Sequence, residues 1–298
     1  MAWTEITRRH YRRDGLRYES DTTDAEWFVM EPLLPRASAL GRPRATDMRT
    51  VINAILYIAS TGCQWRQLPK DFPPYSTVQG YFYAWSRGGL FASLNYTLVM
   101  ASREAAGREA SPTAGVIDSQ SVKTTESGGP RGFDAGKKIK GRKRHIVTDT
   151  QGNLVGLIVH EASIQDRDGA PCVLTSIRSR YPWLRHIFAD GGYAGGKLRK
   201  ALKRIGEWTI EIIKRSDTAQ GFEVLPRRWV VERTCMAWSL SQAGKRFRSD
   251  NRQCRCLGVR CAHPNPHAAT RKSLKSSAII MSQTLRHSGP ASCRLATT

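Results

Sequence analysis

The chain has 298 residues, enough for one large domain or two ordinary ones, and carries 47 lysines and arginines against 25 acidic residues, a formal net charge of +22. Such a charge favours a polyanionic partner, because cations that neutralise phosphates release condensed counterions, although charge alone also fits a ribosomal-type or simply soluble basic protein. No apolar run approaches the ~18 residues of a membrane span, the start lacks a secretory signal, and the seven cysteines have no framework spacing, which excludes a membrane protein and a disulfide scaffold and predicts a cytoplasmic location.

The first third of the chain predicts a basic arm followed by a small all-helical domain. Residues 1–20 are polar and rich in arginine, which is typical of an arm that does not pack. Thr23 is a suitable N-cap for a helix that ends by Pro35, and Met48–Thr61 carries apolar residues at three- and four-residue steps. We therefore expect a helical domain over residues 21–110, with DNA as its ligand.

Two features of this helical domain have both a DNA-binding and a structural interpretation. Ser76–Phe82 fits the recognition helix of a helix-turn-helix, but aromatic side chains at helical spacing more often form a core. Gly41–Arg44 is a short basic turn in which Arg42 and Arg44 face either a phosphate or solvent. We favour the core for the first and, by a narrow margin, phosphate for the second.

From residue 111 the pattern changes to alternating strands and helices. Val116–Asp118, Lys143–Thr148 and Leu154–His160 are predicted strands, and the turn Asp149–Asn153 joins the last two as a hairpin. Further helices and strands follow in alternation, at Asp166–Arg180, His186–Asp190, Lys197–Ile205, Thr209–Lys214 and from Pro226 onward. This order predicts an α/β, RNase H-like domain over residues 111–234, with a mixed sheet flanked by helices.

Three acidic residues stand where these elements end or continue. Asp118 and Asp190 each end an apolar strand, and Glu232 follows the helix-compatible run Arg228–Val231. Taken singly, they are explained as a turn cap, a tight Asp-Gly turn and a solvated helix residue. Taken together, two strand-end aspartates and a helix glutamate can bind a pair of divalent cations, the arrangement that hydrolyses or transfers phosphodiesters.

Several ordered blocks resemble the DDE transposases of bacterial insertion sequences, specifically the group named after insertion sequence five among the IS4-like transposases. The blocks are the segments around the three acids, together with Trp3–Glu5, Arg8–Arg9, Thr61–Arg66, Leu68–Phe72 and Gly132–His145. They run from residue 1 to about residue 234. The resemblance implies an RNase H-like catalytic domain that cuts an element at its ends and joins them to target DNA, with a homodimer on paired ends of double-stranded DNA.

The resemblance also implies a metal site. Asp118, Asp190 and Glu232 are then the catalytic residues and the ligands of two Mg²⁺ ions, with Mn²⁺ as a substitute, that activate water and then the released 3′-hydroxyl. No covalent enzyme intermediate is needed, and ATP is not indicated because the chain has no P-loop.

Basic residues near these acids are candidates for contacting the DNA backbone. A dense basic run before the second strand is either a solvated loop or a DNA grip, and its position beside a catalytic strand favours DNA. Arg228 lies one turn before Glu232 and can hold a phosphate or orient the carboxylate. The full set is Arg42, Arg44, Lys137, Lys138, Lys140, Arg142, Lys143, Arg144 and Arg228.

After Thr234 the chain departs from the family pattern. In these transposases the glutamate helix continues with an Ala-Trp-Leu segment, whereas here Cys235–Arg248 follows. Reading the codons one nucleotide out of frame forces a tryptophan across Met236 and Ala237 and permits the rest of the family segment. We therefore expect residues 235–298 to be an out-of-frame, disordered basic tail.

Two functions are compatible with this sequence. The first is a transposase that catalyses Mg²⁺-dependent strand cleavage and strand transfer of an insertion sequence, weak or inactive because the frame change removes the apolar face that supports the Glu232 helix. The second is a non-catalytic DNA-binding remnant of a transposase. A merely structural basic protein, by contrast, predicts no convergence of the three acids.

Overall fold

The structure, a computed structural model, describes residues 13–41, 43–123 and 131–213. The chain forms two compact units, with a boundary between Arg108 and Glu109. Several residues singled out above lie outside the described residues, namely most of the 1–20 arm, Arg42, Arg228, Glu232 and the segment 235–298.

The helices of the first unit begin and end at local signals. Thr23 caps helix α1 (Asp24–Met30) in a capping box, in which Glu26 Oε2 accepts the Thr23 N–H at 2.9 Å. Asp47 caps helix α2 (Met48–Thr61), which ends at Gly62 in the left-handed conformation that glycine adopts at low cost. The remaining elements are the 3₁₀ turns Glu31–Leu33 and Trp65–Gln67 and the helices α3 (Tyr75–Arg87) and α4 (Leu90–Ala105).

Aromatic side chains form much of the core of this unit. The Phe82 ring on α3 lies with its centroid 5.2 Å from that of Trp65 and 5.5 Å from that of Phe91. Phe82 and Val78 are both buried, so the core interpretation of this helix is confirmed for its apolar residues. Helix α4 is not predicted as a separate element, and its Leu94 and Leu98 also lie in the core.

Within the described residues, the second unit is built on a six-stranded mixed sheet. Strand β3 (Ile139–Asp149) pairs antiparallel with β1 (Ala114–Lys123) on one side and with β2 (Gly132–Asp134) and β4 (Leu154–Glu161) on the other. Beyond β1, the strands β5 (His186–Ala189) and β6 (Thr209–Ile212) continue the sheet in parallel. This order confirms the predicted α/β, RNase H-like fold. The helical elements among the described residues of this unit are α5 (Asp166–Ile177), the 3₁₀ turn Gly191–Tyr193 and α6 (Gly196–Gly206).

Two strands are longer than predicted. Strand β1 continues past Asp118 to Lys123, and β3 begins at Ile139 rather than Lys143, because the two form one continuous ladder as far as the pair of Lys123 with Gly141. Helix α5, in contrast, ends at Ile177 rather than at Arg180.

The register of β1 and β3 assigns alternate residues to opposite faces of the sheet. Ser119 pairs with His145 and Ser121 with Lys143 on the face that helix α5 covers, which we call the α5 face. The opposite face, which we call the Asp118 face, carries Asp118 and the other even-numbered residues of both strands. One strand therefore supplies side chains to two different environments.

Candidate active site

Asp118 and Asp190 lie just beyond the point where the parallel ladder between β1 and β5 ends. The ladder between β1 and β5 pairs Val116 with Phe188, so Asp118 and Asp190 each stand two residues further along. Asp190 keeps an extended backbone, with φ −82° and ψ 179°. Because neighbouring strands are about 4.8 Å apart and side chains alternate, both carboxylates belong to the Asp118 face as neighbours. Both residues are half-buried.

The turn after β5 holds Asp190 and admits a second carboxylate. Asp190 Oδ1 accepts the N–H of Gly192 at 2.9 Å. A Cβ at position 192 would lie 3.0 Å from Asp166 Oδ2 and 3.1 Å from Asp190 Oδ1, tighter than ordinary contact. The glycine therefore allows Asp166 to approach the turn that carries Asp190.

Asp166 is a residue that the sequence analysis misses. Its Oδ1 lies 2.9 Å from the Nζ of Lys143. Burial opposes ionisation of Asp166, but hydrogen bonds from Lys143 and Ser119, together with the charge of Lys143, hold its pKa below the usual value. In the sequence, an aspartate at the start of a helix is explained by the helix dipole, so nothing local marks it.

Tyr193 lies among the carboxylates. Its side chain is buried, and its hydroxyl oxygen lies 3.3 Å from His145 Nδ1. Burial raises the pKa of the Tyr193 hydroxyl well above its usual value, and the negative charges of Asp166, Asp118 and Asp190 raise it further. The three carboxylates therefore act electrostatically on one hydroxyl, which stays neutral.

A buried polar network occupies the α5 face directly behind Asp118. Lys143 is 4% exposed and, besides Asp166, its Nζ lies 3.2 Å from Asp134 Oδ2, which also accepts a hydrogen bond from Ser121. Burial opposes ionisation of Asp134, but hydrogen bonds from Ser121, the Lys137 backbone and Lys143 lower its pKa to about 2. One buried ammonium is thus balanced by two carboxylates that remain ionised.

Two stacked histidines extend this network. The rings of His145 and His160 lie 4.5 Å apart, and a Cβ at Gly169 on α5 would be 2.4 Å from His145 Nε2. Burial lowers the pKa of His145 to about 3 and of His160 to about 4, and the positive charge of Lys143 lowers both. Both histidines are neutral at neutral pH; His145 is buried, and the half-buried His160 stacks on it.

The predicted DNA contacts on β3 divide between the two faces. Lys138 and Lys140 are exposed, and Arg142 and Arg144 are half-buried on the Asp118 face. Lys143 instead lies between two carboxylates on the α5 face, so its ammonium has a structural role and is not available to a phosphate.

Two other candidates have intramolecular partners. Lys137 is exposed, but its Nζ donates to the carbonyl oxygen of Ser119 at 2.8 Å. Arg44, in the helical unit, is exposed and donates to the Pro35 carbonyl oxygen at 3.0 Å.

The chemistry of the acid pair fits a hard divalent cation. Mg²⁺ and Mn²⁺ prefer carboxylate oxygens, and both carboxylates stand just beyond the ladder between β1 and β5. No group of three metal-ligating residues occurs within the described ranges, and Glu232 lies outside them. The described residues thus supply two of the three expected ligands.

The strand order, with two aspartates at corresponding positions of neighbouring parallel strands, defines an RNase H-like domain. Comparison with protein families then identifies the family to which this domain belongs. The model of the transposase DDE domain matches residues 109–260, just over half of the chain, and a domain model assigned to transposases of the IS4/5 family matches residues 22–95. The chain belongs to the DDE transposase domain family. The match runs past Thr234 and does not locate the predicted frame change.

One similar protein is the uncharacterised protein y4sN of Sinorhizobium fredii (strain NBRC 101917 / NGR234). It is 30% identical over 92 residues, which cover 31% of this chain and 66% of that protein. The chain therefore spans just under two thirds of its length. No solved structure matches the chain. In the part of the chain that the structure describes, no helix has the length and apolarity to span a bilayer.

Proposed function

We propose that this protein is a transposase that cuts the ends of an insertion sequence and joins them to target DNA. The observation that carries the proposal is the position of Asp118 and Asp190 as neighbours on one face of an RNase H-like sheet in a chain of the DDE transposase domain family. The net charge of +22 supports DNA as the substrate.

The catalytic residues in this proposal are Asp118, Asp190 and Glu232. Their carboxylates would hold two divalent cations, Mg²⁺ or in its place Mn²⁺, which would polarise the scissile phosphate and lower the pKa of the attacking hydroxyl. Asp118 and Asp190 stay half-exposed, so a phosphate can reach them. Glu232 lies outside the described residues and enters as a proposal from sequence.

The network behind the acids positions them. Lys143 holds Asp166 beneath Gly192, and the Gly192 N–H holds Asp190 Oδ1. The charge of Lys143 offsets carboxylates that would otherwise repel the acid pair at close range. The pair is thereby fixed before a cation or DNA arrives, which avoids reorganisation during the reaction.

DNA contacts are proposed for the basic residues that reach the surface. Arg142 and Arg144 share the face of Asp118, and Lys138 and Lys140 are exposed on the adjoining hairpin. Arg42, Arg44 and Arg228 are proposed as further backbone contacts. The partner is double-stranded DNA of the element ends and target, engaged by a homodimer in the cytoplasm.

A second candidate function is that of a DNA-binding remnant without catalysis. The departure after Thr234 favours it, because the sequence from Cys235 onward lacks the apolar periodicity that would pack the Glu232 helix on the sheet. Both candidates predict DNA binding, and only the first predicts cleavage.

The test is cleavage of a supercoiled plasmid carrying the element with its flanking DNA, by the full chain in Mg²⁺ or Mn²⁺. We expect Asp118→Asn and Asp190→Asn to lose at least about 100-fold of the cleavage rate with DNA binding retained. The matched control is Asp168→Asn, which removes an acid paired with Lys197 away from the network. Cleavage by Asp118→Asn at the native rate contradicts the proposal, and binding without cleavage by the native chain supports the remnant.

A further inference from the structure

The hairpin β2–β3 carries an exposed aromatic ring that packing does not explain. Phe133 is 56% exposed, whereas its two neighbours are anchored. A Cβ at Gly132 would lie 2.4 Å from Ser163 Oγ, and Asp134 is buried with Ser121 and Lys143. The ring therefore stands out from a strand that is held firmly on both sides of it.

The exposed ring lies on the same face as the acid pair. Phe133 pairs with Lys140. Arg142, Arg144 and Ile146 lie two, four and six positions after Lys140, and Ile146 pairs with Asp118. Because side chains alternate along a strand, Phe133 and Lys140 belong to the Asp118 face.

The distance from the acids to this ring is set by β3. Ile146 lies six positions after Lys140, and at ~3.3 Å per residue this distance is roughly 20 Å. B-DNA rises ~3.4 Å per nucleotide along one strand, so this length corresponds to about six nucleotides. Arg142 and Arg144 occupy the interval on the same face.

Resting on the proposed function, we infer that Phe133 stacks on an unpaired base of the DNA, about six nucleotides from the phosphate at Asp118 and Asp190, with Lys138 and Lys140 on the adjacent phosphates. Aromatic rings stack on the face of any base, and neighbouring cations bind the phosphates of the backbone. Proteins bind single-stranded segments in this way. Both lysines are exposed beside the ring.

Charge complementarity favours DNA over a protein partner for this surface. Among the residues that the structure describes, one exposed phenylalanine beside two exposed lysines is a poor core for a protein interface, because lysine is depleted there and apolar contacts need a continuous patch. A single-stranded DNA segment matches both parts of the surface, because its phosphates can pair with the lysines and its bases can stack on the phenylalanine ring.

The test is binding of a single-stranded oligonucleotide with 2-aminopurine at successive positions, measured by anisotropy and by 2-aminopurine fluorescence. We expect Phe133→Ala to weaken binding about 5- to 100-fold, with the salt dependence unchanged and the fluorescence change lost, since stacking on one base contributes that much. Phe133→Trp should retain both signals. Lys140→Gln should reduce the slope of log affinity against log salt by about 0.7.

The matched control is Trp183→Ala. Trp183 is 67% exposed, but it precedes β5 and so lies at the opposite end of that strand from Asp190. The inference is overturned if Phe133→Ala binds like the native chain, or if Trp183→Ala weakens binding as much. Because plasmid cleavage and oligonucleotide binding are measured separately, failed cleavage with Phe133-dependent binding rejects catalysis alone, and normal cleavage with Phe133-independent binding rejects this inference alone.

Discussion

The two faces of strand β1 differ in how their charges are balanced. On the α5 face, the charge of Lys143 is matched within the protein by Asp134 and Asp166, and all three side chains are largely removed from water. On the Asp118 face, two neighbouring carboxylates stand half-exposed beside Arg142 and Arg144. The first face balances its charge with buried partners, whereas the second is the face on which we propose that a cation and a phosphate bind.

Substitutions on the two faces of this strand should therefore have different effects, on stability for one face and on activity for the other. Changes on the α5 face leave a buried charge or a cavity and should be read out by unfolding. Changes on the Asp118 face remove groups that repel one another, so they should affect activity while leaving the fold intact or more stable.

The largest expected effect on stability is that of Lys143→Met. It leaves Asp134 and Asp166 buried without their cation, and we expect a loss of about 3–5 kcal/mol in the free energy of unfolding, measured with urea. The double change with Asp166→Asn should recover part of the loss, because it removes one uncompensated charge. A loss below about 1 kcal/mol for Lys143→Met would mean that the network does not stabilise the fold.

Acid should destabilise the α5 face through its two histidines. Their folded pKa values, about 3 for His145 and about 4 for His160, lie below the unfolded value of 6.5, so the unfolded chain takes up protons first. Stability contributed by neutral histidines is complete above pH 6.5 and is lost as pH falls toward 4, with a slope approaching ~1.4 kcal/mol per pH unit for each.

Urea titrations at several pH values measure this slope. His160→Gln, which cannot gain a proton, should reduce it by up to half. Asp134, whose pKa is lowered to about 2, adds a further loss only below its usual range near pH 4. Stability independent of pH between 6.5 and 4.5 would contradict neutral, buried histidines.

A smaller effect is expected for Gly169→Ala. The added methyl would meet both stacked rings, 2.4 Å from His145 Nε2 and 2.5 Å from His160 Cε1, and we expect a loss of about 1–3 kcal/mol by thermal or urea unfolding. Gly191→Ala is the control, because a Cβ there meets nothing within 4 Å. Equal effects of the two changes would argue against close packing of α5 on the histidines.

The smallest effect is expected at the surface pair of Lys197 and Asp168. Their side-chain atoms lie 2.9 Å apart but are 83% and 38% exposed, so water and salt screen the interaction. Lys197→Ala should change the unfolding free energy by less than about 0.5 kcal/mol. A change as large as that of Lys143→Met would remove the distinction between buried and exposed pairs.

The sequence predicts the Asp118 face better than the α5 face, for a physical reason. Asp118 and Asp190 each follow an apolar run at corresponding positions of two neighbouring parallel strands, so their proximity follows from local pattern and topology. Lys143 stands in a run of basic residues and looks exposed. Its burial depends on Asp134 and Asp166, which reach it only through the hairpin and the start of α5.

Alternation along β3 does not mark Lys143 as buried. Lys143 shares a parity with the apolar Val147, but Ile146 on the opposite face is likewise 0% exposed, so the apolar pattern alone does not tell which face covers Lys143. The Phe133 ring is similarly marked only after the register of β2 is known.

The most direct test of the account is the effect of Mg²⁺ or Mn²⁺ on the thermal unfolding of three proteins, the native chain, Asp118→Asn and Ser119→Ala. At roughly ten times the dissociation constant, a bound ion should stabilise the native chain by about 1.4 kcal/mol and raise its Tm. Ser119→Ala, one residue away on the α5 face, should start from a lower Tm and keep the metal-dependent rise, whereas Asp118→Asn should lose the rise without a lower starting Tm. An undiminished rise in Asp118→Asn, or its loss in Ser119→Ala, would contradict a cation site on the Asp118 face.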